Sequence, residues 1–244
     1  MIFEQNFRVG IQDVGKDNEI TNKAILEMLT NITNYHGYSI GQGTGHLSEN
    51  PLAWVVLNWK LEVYSRPKVC EAVLIKTWAR DYSRVHADRD FEMWTEGGEL
   101  ALKATSRWAA LNLKTGRMER LTEEIMAPYG PEPDRRNFND FRFRKMNDKK
   151  TDVLGRAEVK ANKSMIDIND HVRNPVYFDI AREVIPDGND EIHFNDVEVA
   201  YKTGIRQYET VTVEYSEPED NKYLVQIKDD EGHLYAGIVV GDSY

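Results

Sequence analysis

Residues 165–183 read M-I-D-I-N-D-H-V-R-N-P-V-Y-F-D-I-A-R-E. Proline lacks an N–H and its ring clashes with the preceding turn, so Pro175 belongs at the start of a helix, not in its interior. Asn174 is the expected N-cap, and Tyr177, Ile180, Ala181 and Val184 then share one face. Pro186 and Gly188 end the pattern. Upstream, residues 162–168 read as a short extended segment. Downstream, four alternating apolar runs at 196–201, 209–215, 223–228 and 233–240 read as strands, with a turn at 229–232 before the last.

The same order occurs earlier in the chain. Residues 20–36 carry Ile25, Leu29, Ile32 and Tyr35 at helical spacing, widened by Leu26 and Met28. Thr21 or Asn22 is the expected N-cap and Gly37 the expected stop. Strands are expected at 53–64, 71–79, 85–95 and 101–112, with Glu96-Gly97-Gly98-Glu99 as a hairpin turn between the last two. Setting Asn22 on Asn174 lays one helix on the other, and setting Glu71 on Glu209 lays the strands on each other. Identity between the halves is low, so the repeat is one of pattern. Two helix-plus-sheet units predict an α+β duplication in which each helix lies against a strongly curved antiparallel sheet. Residues 122–150, with Pro128, Pro131 and Pro133 among many charges, form the expected linker region.

Composition bounds the function. The 244 residues carry 41 acidic and 31 basic side chains, a formal charge of −10, which argues against a protein that coats nucleic acid. A single cysteine, Cys70, precludes an intrachain disulfide, points to a reducing compartment, and is expected to be a small core residue. Residues 1–6 lack the basic start of a signal peptide, and no run approaches the ~20 apolar residues of a membrane span. A cytoplasmic location is therefore expected. The six histidines show no metal-ligand spacing, and G-Q-G-T-G at 41–45 follows a helix, not a strand, so it is no dinucleotide loop. No metal or cofactor is expected.

The densest polar cluster is Asp167-Ile168-Asn169-Asp170-His171. In an extended segment Asp167, Asn169 and His171 would share one face, with Ile166 and Ile168 turned to the core. A carboxylate, an amide and an imidazole beside a helix start suit a hydrolytic site. They equally suit a capping loop whose polar groups satisfy backbone donors.

Residues 165–183 resemble the acyl-ACP thioesterase family, whose members carry D-x-N-x-H-V-N-N-x-x-Y here and a glutamate further along the helix. Asp167, Asn169, His171, Val172, Asn174, Tyr177 and Glu183 match. T-W-A-R-D-Y-S-R at 77–84 and A-T-S-R-W-A-A-L-N-L-K-T-G-R-M-E-R-L at 104–121 also look like family strands. The resemblance implies a tandem (double) hot-dog fold of class α+β, two curved antiparallel sheets each wrapped around a central helix. It implies an N-terminal hot dog over 1–130 that shapes the acyl slot, a linker over 131–155 and a catalytic hot dog over 156–244. The implied activity is hydrolysis of fatty acyl–acyl carrier protein to free fatty acid and holo carrier, with a monomer or homodimer as the working unit. The alternatives are a hot-dog thioesterase for acyl-CoA and an acyl-binding protein without catalysis.

In that scheme His171 is the general base, Asn169 holds the carbonyl or the water, and Asp167 is nucleophile or electrostatic partner. The chain departs from the family pattern at 201–205, where Gly204 and Ile205 fall at the positions of a glutamate and a cysteine. A Cys–His scheme is excluded there, and Glu198 or Glu209 are candidates to replace the glutamate. Met28, Leu29, Ile32, Trp54 and Trp59 are the expected slot residues, under a loop formed by 41–46. Acyl carrier protein is acidic, and Arg135, Arg136, Arg142, Arg144 and Lys145 are the expected docking cations.

Overall fold

The computed structural model describes residues 1–42, 52–139, 141–146, 152–185, 194–219 and 222–241. The N-terminal half holds β1 (Phe3–Arg8), α1 (Asn22–Ser39), β2 (Leu52–Val63), β3 (Ala72–Tyr82), β4 (Ala87–Thr95), β5 (Leu100–Asn112), the two-residue β6 (Arg117–Met118) and the single-turn α2 (Glu123–Met126). The C-terminal half holds β7 (Gly155–Lys160), α3 (Tyr177–Arg182), β8 (Asp196–Tyr201), β9 (Thr210–Glu219), β10 (Lys222–Lys228) and β11 (Leu234–Gly241).

The strands join in one antiparallel sheet of order β1-β3-β4-β5-β2-β8-β11-β10-β9-β7, with β6 added to β5. The order is symmetric about the β2–β8 seam, where Asn58 pairs with Ala200, Lys60 with Glu198 and Glu62 with Asp196. Each flank repeats the other strand for strand, which is the duplication expected from the two helix-plus-strand patterns. The chain is a double hot dog whose halves pair through their β2 and β8 edges.

The α1 helix forms because its apolar residues fall on one stripe and its first turn is capped. Thr21 Oγ1 accepts from Ala24 N at 3.2 Å. Ile25, Leu26, Leu29 and Ile32 are at most 1% exposed, packed over Trp59, Leu61, Ile75 and Phe91 of the sheet. Each such side chain contributes about 1.5–3 kcal/mol by leaving water. Gly37 does not stop the helix, which runs to Ser39 and ends as Gly41 takes φ +74°. A left-handed residue at the end is the usual glycine cap, so the stop lies four residues beyond the expected one. In the second half Asn174 is not the N-cap: it is the first residue of a single 3-10 turn with Arg173 at the cap position and no side-chain capping bond, and α3 continues it for six residues.

The outer face of the sheet is polar and covered. Arg80 pairs with Asp88 at 2.7 Å and Asp90 at 3.3 Å, and Arg107 holds Asp88 through two bonds of 2.7 and 2.8 Å. Burial pushes the Asp90 carboxyl up, against the pull of Thr105, Arg80 and the Asn137 N–H. Residues 131–139 and 141–146 lie over this face: Asn137 bonds Asp90 and the carbonyls of Phe91 and Ala104, and Met146 packs with Ala200, Leu224 and Val239. Cys70 is not a core residue. It is exposed, in a left-handed turn with φ +69°.

Candidate active site

The Asp167–His171 segment is a turn, not a strand. A 3-10 turn, Lys163–Met165, leads into it, capped by Asn162, whose Oδ1 accepts from Ser164 N at 3.0 Å. Ile166 pairs with Val172 as an isolated bridge, and Asp167 N donates to His171 O at 2.8 Å. Asp170 takes φ +60°, a left-handed conformation that Asp tolerates. The loop therefore folds back within five residues. Ile168, expected to face the core, is 86% exposed at its tip.

Asp167, Asn169 and His171 are still brought together, by a different device. Asp167 Oδ1 accepts from Asn169 N at 2.8 Å and from His171 N at 3.2 Å, and its Oδ2 accepts from Asn169 Nδ2 at 3.4 Å. This is an Asx-type cap, the local chemistry that makes Asp and Asn frequent in turns. The Asp167 carboxylate thus meets the backbone of His171, not its imidazole. The ring nitrogens of His171 hydrogen-bond no group among the described residues.

The opposite wall is the loop after β8. Val172 N donates to Ile205 O at 2.8 Å, and His171 bridges to Arg206. The His171 ring lies flat against Gly204: a Cβ there would sit 2.8 Å from ring Cγ. The glycine at the family glutamate position is therefore the residue this ring placement requires. Tyr177 of α3 holds the loop in place, its hydroxyl accepting from Ile205 N at 3.2 Å and reaching Thr203 O at 3.5 Å. Burial pushes the Tyr177 hydroxyl up to about 12, helped by Tyr235, Glu209 and Asp167 and opposed by the Ile205 N–H.

Of the two candidate carboxylates, Glu198 turns to the outer face, where it accepts from Arg144 Nε at 3.0 Å. Glu209 accepts from Arg206 N at 2.8 Å and from Tyr235 Oη at 3.1 Å, beside Tyr177. The Tyr235–Glu209 pair was not legible beforehand, because Tyr235 lies on β11, far away in sequence.

The expected slot residues separate. Trp54 lines a cavity of about 90 Å³ together with Ala79, Ala87, Arg89, Trp108 and Tyr129, and its Nε1 donates to Tyr129 Oη at 2.9 Å. Met28, Leu29, Ile32 and Trp59 do not line it; they are core. Trp59 packs on Phe91 and Trp108 at ring distances of 5.2 and 6.1 Å. Of the 41–46 loop, residues 43–46 lie outside the described residues, while Gln42 lines the cavity. Trp54 precedes the paired part of β2 and Gly204 follows that of β8, so in this antiparallel ladder both leave the seam at the same end.

The expected docking cations also divide. Arg135 holds Glu92 at 3.0 Å and covers Trp78, Arg136 pairs with Asp81 at 2.9 Å, and Arg144 is spent on Glu198. Arg142 and Lys145 are exposed and form no ion pair among the described residues. Among the described residues no group of His, Cys, Asp and Glu could hold a metal ion.

A double hot dog with a histidine-bearing turn against the loop after β8 defines the class of fold, and the comparisons specify the family. The family model for the acyl-ACP thioesterase N-terminal domain matches residues 1–129, and the chain belongs to this family. Oleoyl-acyl carrier protein thioesterase of Coriandrum sativum is 25% identical over 231 residues, covering 87% of this chain and 58% of that protein. Oleoyl-acyl carrier protein thioesterase 2 of Arabidopsis thaliana is 27% identical over 201 residues, covering 75% and 54%. The chain thus spans little more than half the length of these curated relatives. Two solved structures share the fold. The 12:0-ACP thioesterase of Umbellularia californica has TM-score 0.83 at 21% identity, covering 98% of this chain and 96% of that one. An acyl-ACP thioesterase from Bacteroides thetaiotaomicron has TM-score 0.82 at 22% identity, covering 98% and 97%. No described helix is long and apolar enough to cross a membrane.

Proposed function

We propose that the chain hydrolyses fatty acyl–acyl carrier protein thioesters to free fatty acid and holo carrier. The observation that carries this is the His171 imidazole, its nitrogens free of partners among the described residues, held against Gly204 by the Asp167-capped turn. His171 takes a proton from water as the oxygen attacks the thioester carbonyl carbon. The tetrahedral intermediate collapses with cleavage of the C–S bond, and the imidazolium returns the proton to the leaving thiolate. Asn169 is the amide available to the carbonyl. Asp167 acts as the positioning residue for both, because its Oδ1 accepts from their two N–H groups; this favours direct attack by water over a covalent anhydride.

The N-terminal hot dog, residues 1–130, takes the acyl chain, and the C-terminal one, residues 156–244, carries the chemistry. An exposed lone cysteine suits the reducing cytoplasm. The test is thiol release from C8 to C18 acyl carrier protein and acyl-CoA substrates, with His171→Ala beside wild type. Turnover on the carrier substrates should fall about 10²–10⁴-fold in the variant. Absent wild-type turnover, or turnover indifferent to His171, overturns the reading, and equal efficiency on CoA thioesters replaces the carrier protein with a CoA substrate.

Docking is assigned to Arg142 and Lys145, the two cations of the linker cluster left exposed and without an ion pair among the described residues. Reversing both to glutamate should raise KM for acyl carrier protein roughly tenfold or more through lost steering. Small acyl thioesters should be hydrolysed as before; equal loss on both substrates removes the assignment.

A further inference from the structure

We propose that the cavity at the end of α1 is a carboxylate site, built to receive an aliphatic chain whose carboxylate pairs with Arg89. The alternation of β4 places Ala87, Arg89, Phe91 and Met93 on its inner side, so a guanidinium occupies a core position among apolar neighbours. Arg89 is only 5% exposed and lines the cavity. Its Nη1 donates to His36 Nδ1 and to Thr77 Oγ1, both at 3.1 Å, and its guanidinium carbon lies 5.7 Å from the Tyr129 ring. All three partners are neutral. Nε and Nη2 bond no described residue. The flanking acids do not help, because Asp88 and Asp90 hold Arg80 on the outer face.

A second group, outside the cavity lining, leaves the cation without a counter-charge. His36 is fully buried, and accepting from Arg89 at Nδ1 fixes its proton on Nε2. That Nε2–H has no partner among the described residues. Burial and the Arg89 charge hold the His36 ring down to about 3, so it stays a neutral donor beside a cation. Burial lowers Arg89 as well, to about 10, which still leaves it charged at neutral pH. A buried cation with neutral partners is costly unless an anion joins it. Trp54, Ala79, Ala87, Trp108 and Tyr129 give the cavity apolar walls that suit an alkyl chain, beside the polar Thr33, Asn34, Gln42 and Asp88. An arginine fork and apolar walls together select an aliphatic carboxylate.

Two sources carry this chemistry: a free fatty acid, and an acyl chain that ends in a second carboxyl group. Only this choice of source rests on the thioesterase reading; the binding does not. The probes are octanoate and octan-1-ol, titrated into the full chain and followed by calorimetry and by tryptophan fluorescence, since Trp54 and Trp108 form the wall. Octanoate should bind about 10- to 100-fold more tightly than the alcohol, the range of a hydrogen bond to a charged group. Arg89→Gln should abolish the difference and Arg89→Lys should keep part of it. Should the glutamine variant not fold, [1-¹³C]octanoate on the wild-type chain decides: bound to Arg89, its carboxyl should titrate below the free acid. Equal affinity for acid and alcohol, or an unshifted carboxyl titration, overturns the proposal. Preference for carrier substrates with carboxyl-ended chains identifies the acyl chain as the source. Competitive inhibition by octanoate, with methyl-ended chains preferred, identifies the free acid. Octanoate binding without turnover of any thioester sinks the thioesterase reading and leaves the site standing.

Discussion

The turn that carries His171 has a twin. In the first half the 3-10 turn Ile11–Asp13 precedes a Val14–Ile20 bridge, Gly15 N donates to Glu19 O at 2.9 Å, and Asn18 takes φ +69°. Glu19 bridges to Lys68 as His171 does to Arg206, and Ile20 N donates to Pro67 O as Val172 N does to Ile205 O. Position for position, Gly15, Asp17 and Glu19 stand for Asp167, Asn169 and His171, and Arg66 stands for Gly204. Arg66 carries a side chain where Gly204 makes room for the His171 ring. It ties Ile20 O at 2.9 Å and Asn22 Oδ1 at 3.0 Å to Phe194 O of the other half at 2.7 Å. One backbone motif has thus become a clasp between the halves in one copy and a histidine platform in the other.

The inner faces of the halves diverge in the opposite sense. Arg89 on β4 corresponds to Tyr223 on β10, which packs among Phe194 and Tyr215 at ring distances of 5.4 and 5.5 Å. The C-terminal half fills with aromatic rings the position where the N-terminal half keeps a cavity. The two halves therefore differ by two exchanges, Arg66 for Gly204 and Arg89 for Tyr223, on one scaffold.

Making the platform more like the clasp should do the most damage. Gly204→Ala introduces a Cβ that the His171 ring already occupies, so the ring must shift. A displacement on the order of 1 Å at a catalytic group costs about 10²-fold in rate. Thiol release measured beside chemical denaturation should show that loss in kcat with little change in stability; wild-type kcat in this variant would break the account of Gly204. Opening the clasp should do the converse. Arg66→Ala strands the Ile20 carbonyl, leaves Phe194 O with the Asn22 Nδ2 donor, and should cost about 1–3 kcal/mol of folding free energy. The denaturation midpoint should fall while KM and kcat of the folded fraction hold. An unchanged midpoint would show that the clasp does not bind the halves.

Much of this was legible in sequence, for identifiable reasons. The duplication showed because helices and alternating strands recur in one order, and Trp54, expected in the acyl slot, lines a cavity. The Asp167–His171 segment allowed both an extended strand and a capping loop, because D-x-N-x-H satisfies both strand alternation and turn chemistry, and the capping loop is what forms. Four polar residues around one isoleucine, in a segment feeding a capped helix, favour the turn, and Ile168 is exposed as a result. The helix stop was assigned to Gly37, although only Gly41 takes the left-handed φ. Arg89 interrupts an otherwise apolar inner row of β4 and was visible as a break in period two, yet only the folded sheet shows that no carboxylate meets it among the described residues.

Asp167 gives the smallest effect and the finest discrimination. Its carboxylate could serve by charge, as nucleophile or partner of His171, or by geometry, as the acceptor that caps Asn169 N and His171 N. Asp167→Asn keeps an oxygen at Oδ1 and removes the charge. On the capping account kcat should fall no more than a few-fold, because Asn and Asp cap turns about equally well. Asp167→Ala, which removes the acceptor as well, should cost about 0.5–2 kcal/mol of local stability and lower activity further. The first-half turn is the internal control. Gly15 occupies the equivalent position with no side chain, and the loop there still closes through Gly15 N and Glu19 O, aided by Asp17 Oδ1 on Glu19 N at 3.1 Å. Closure of the loop alone therefore does not require the carboxylate; alignment of Asn169 and His171 does. A fall in Asp167→Asn as deep as that in His171→Ala would make the charge itself chemical and would restore Asp167 as a reacting group.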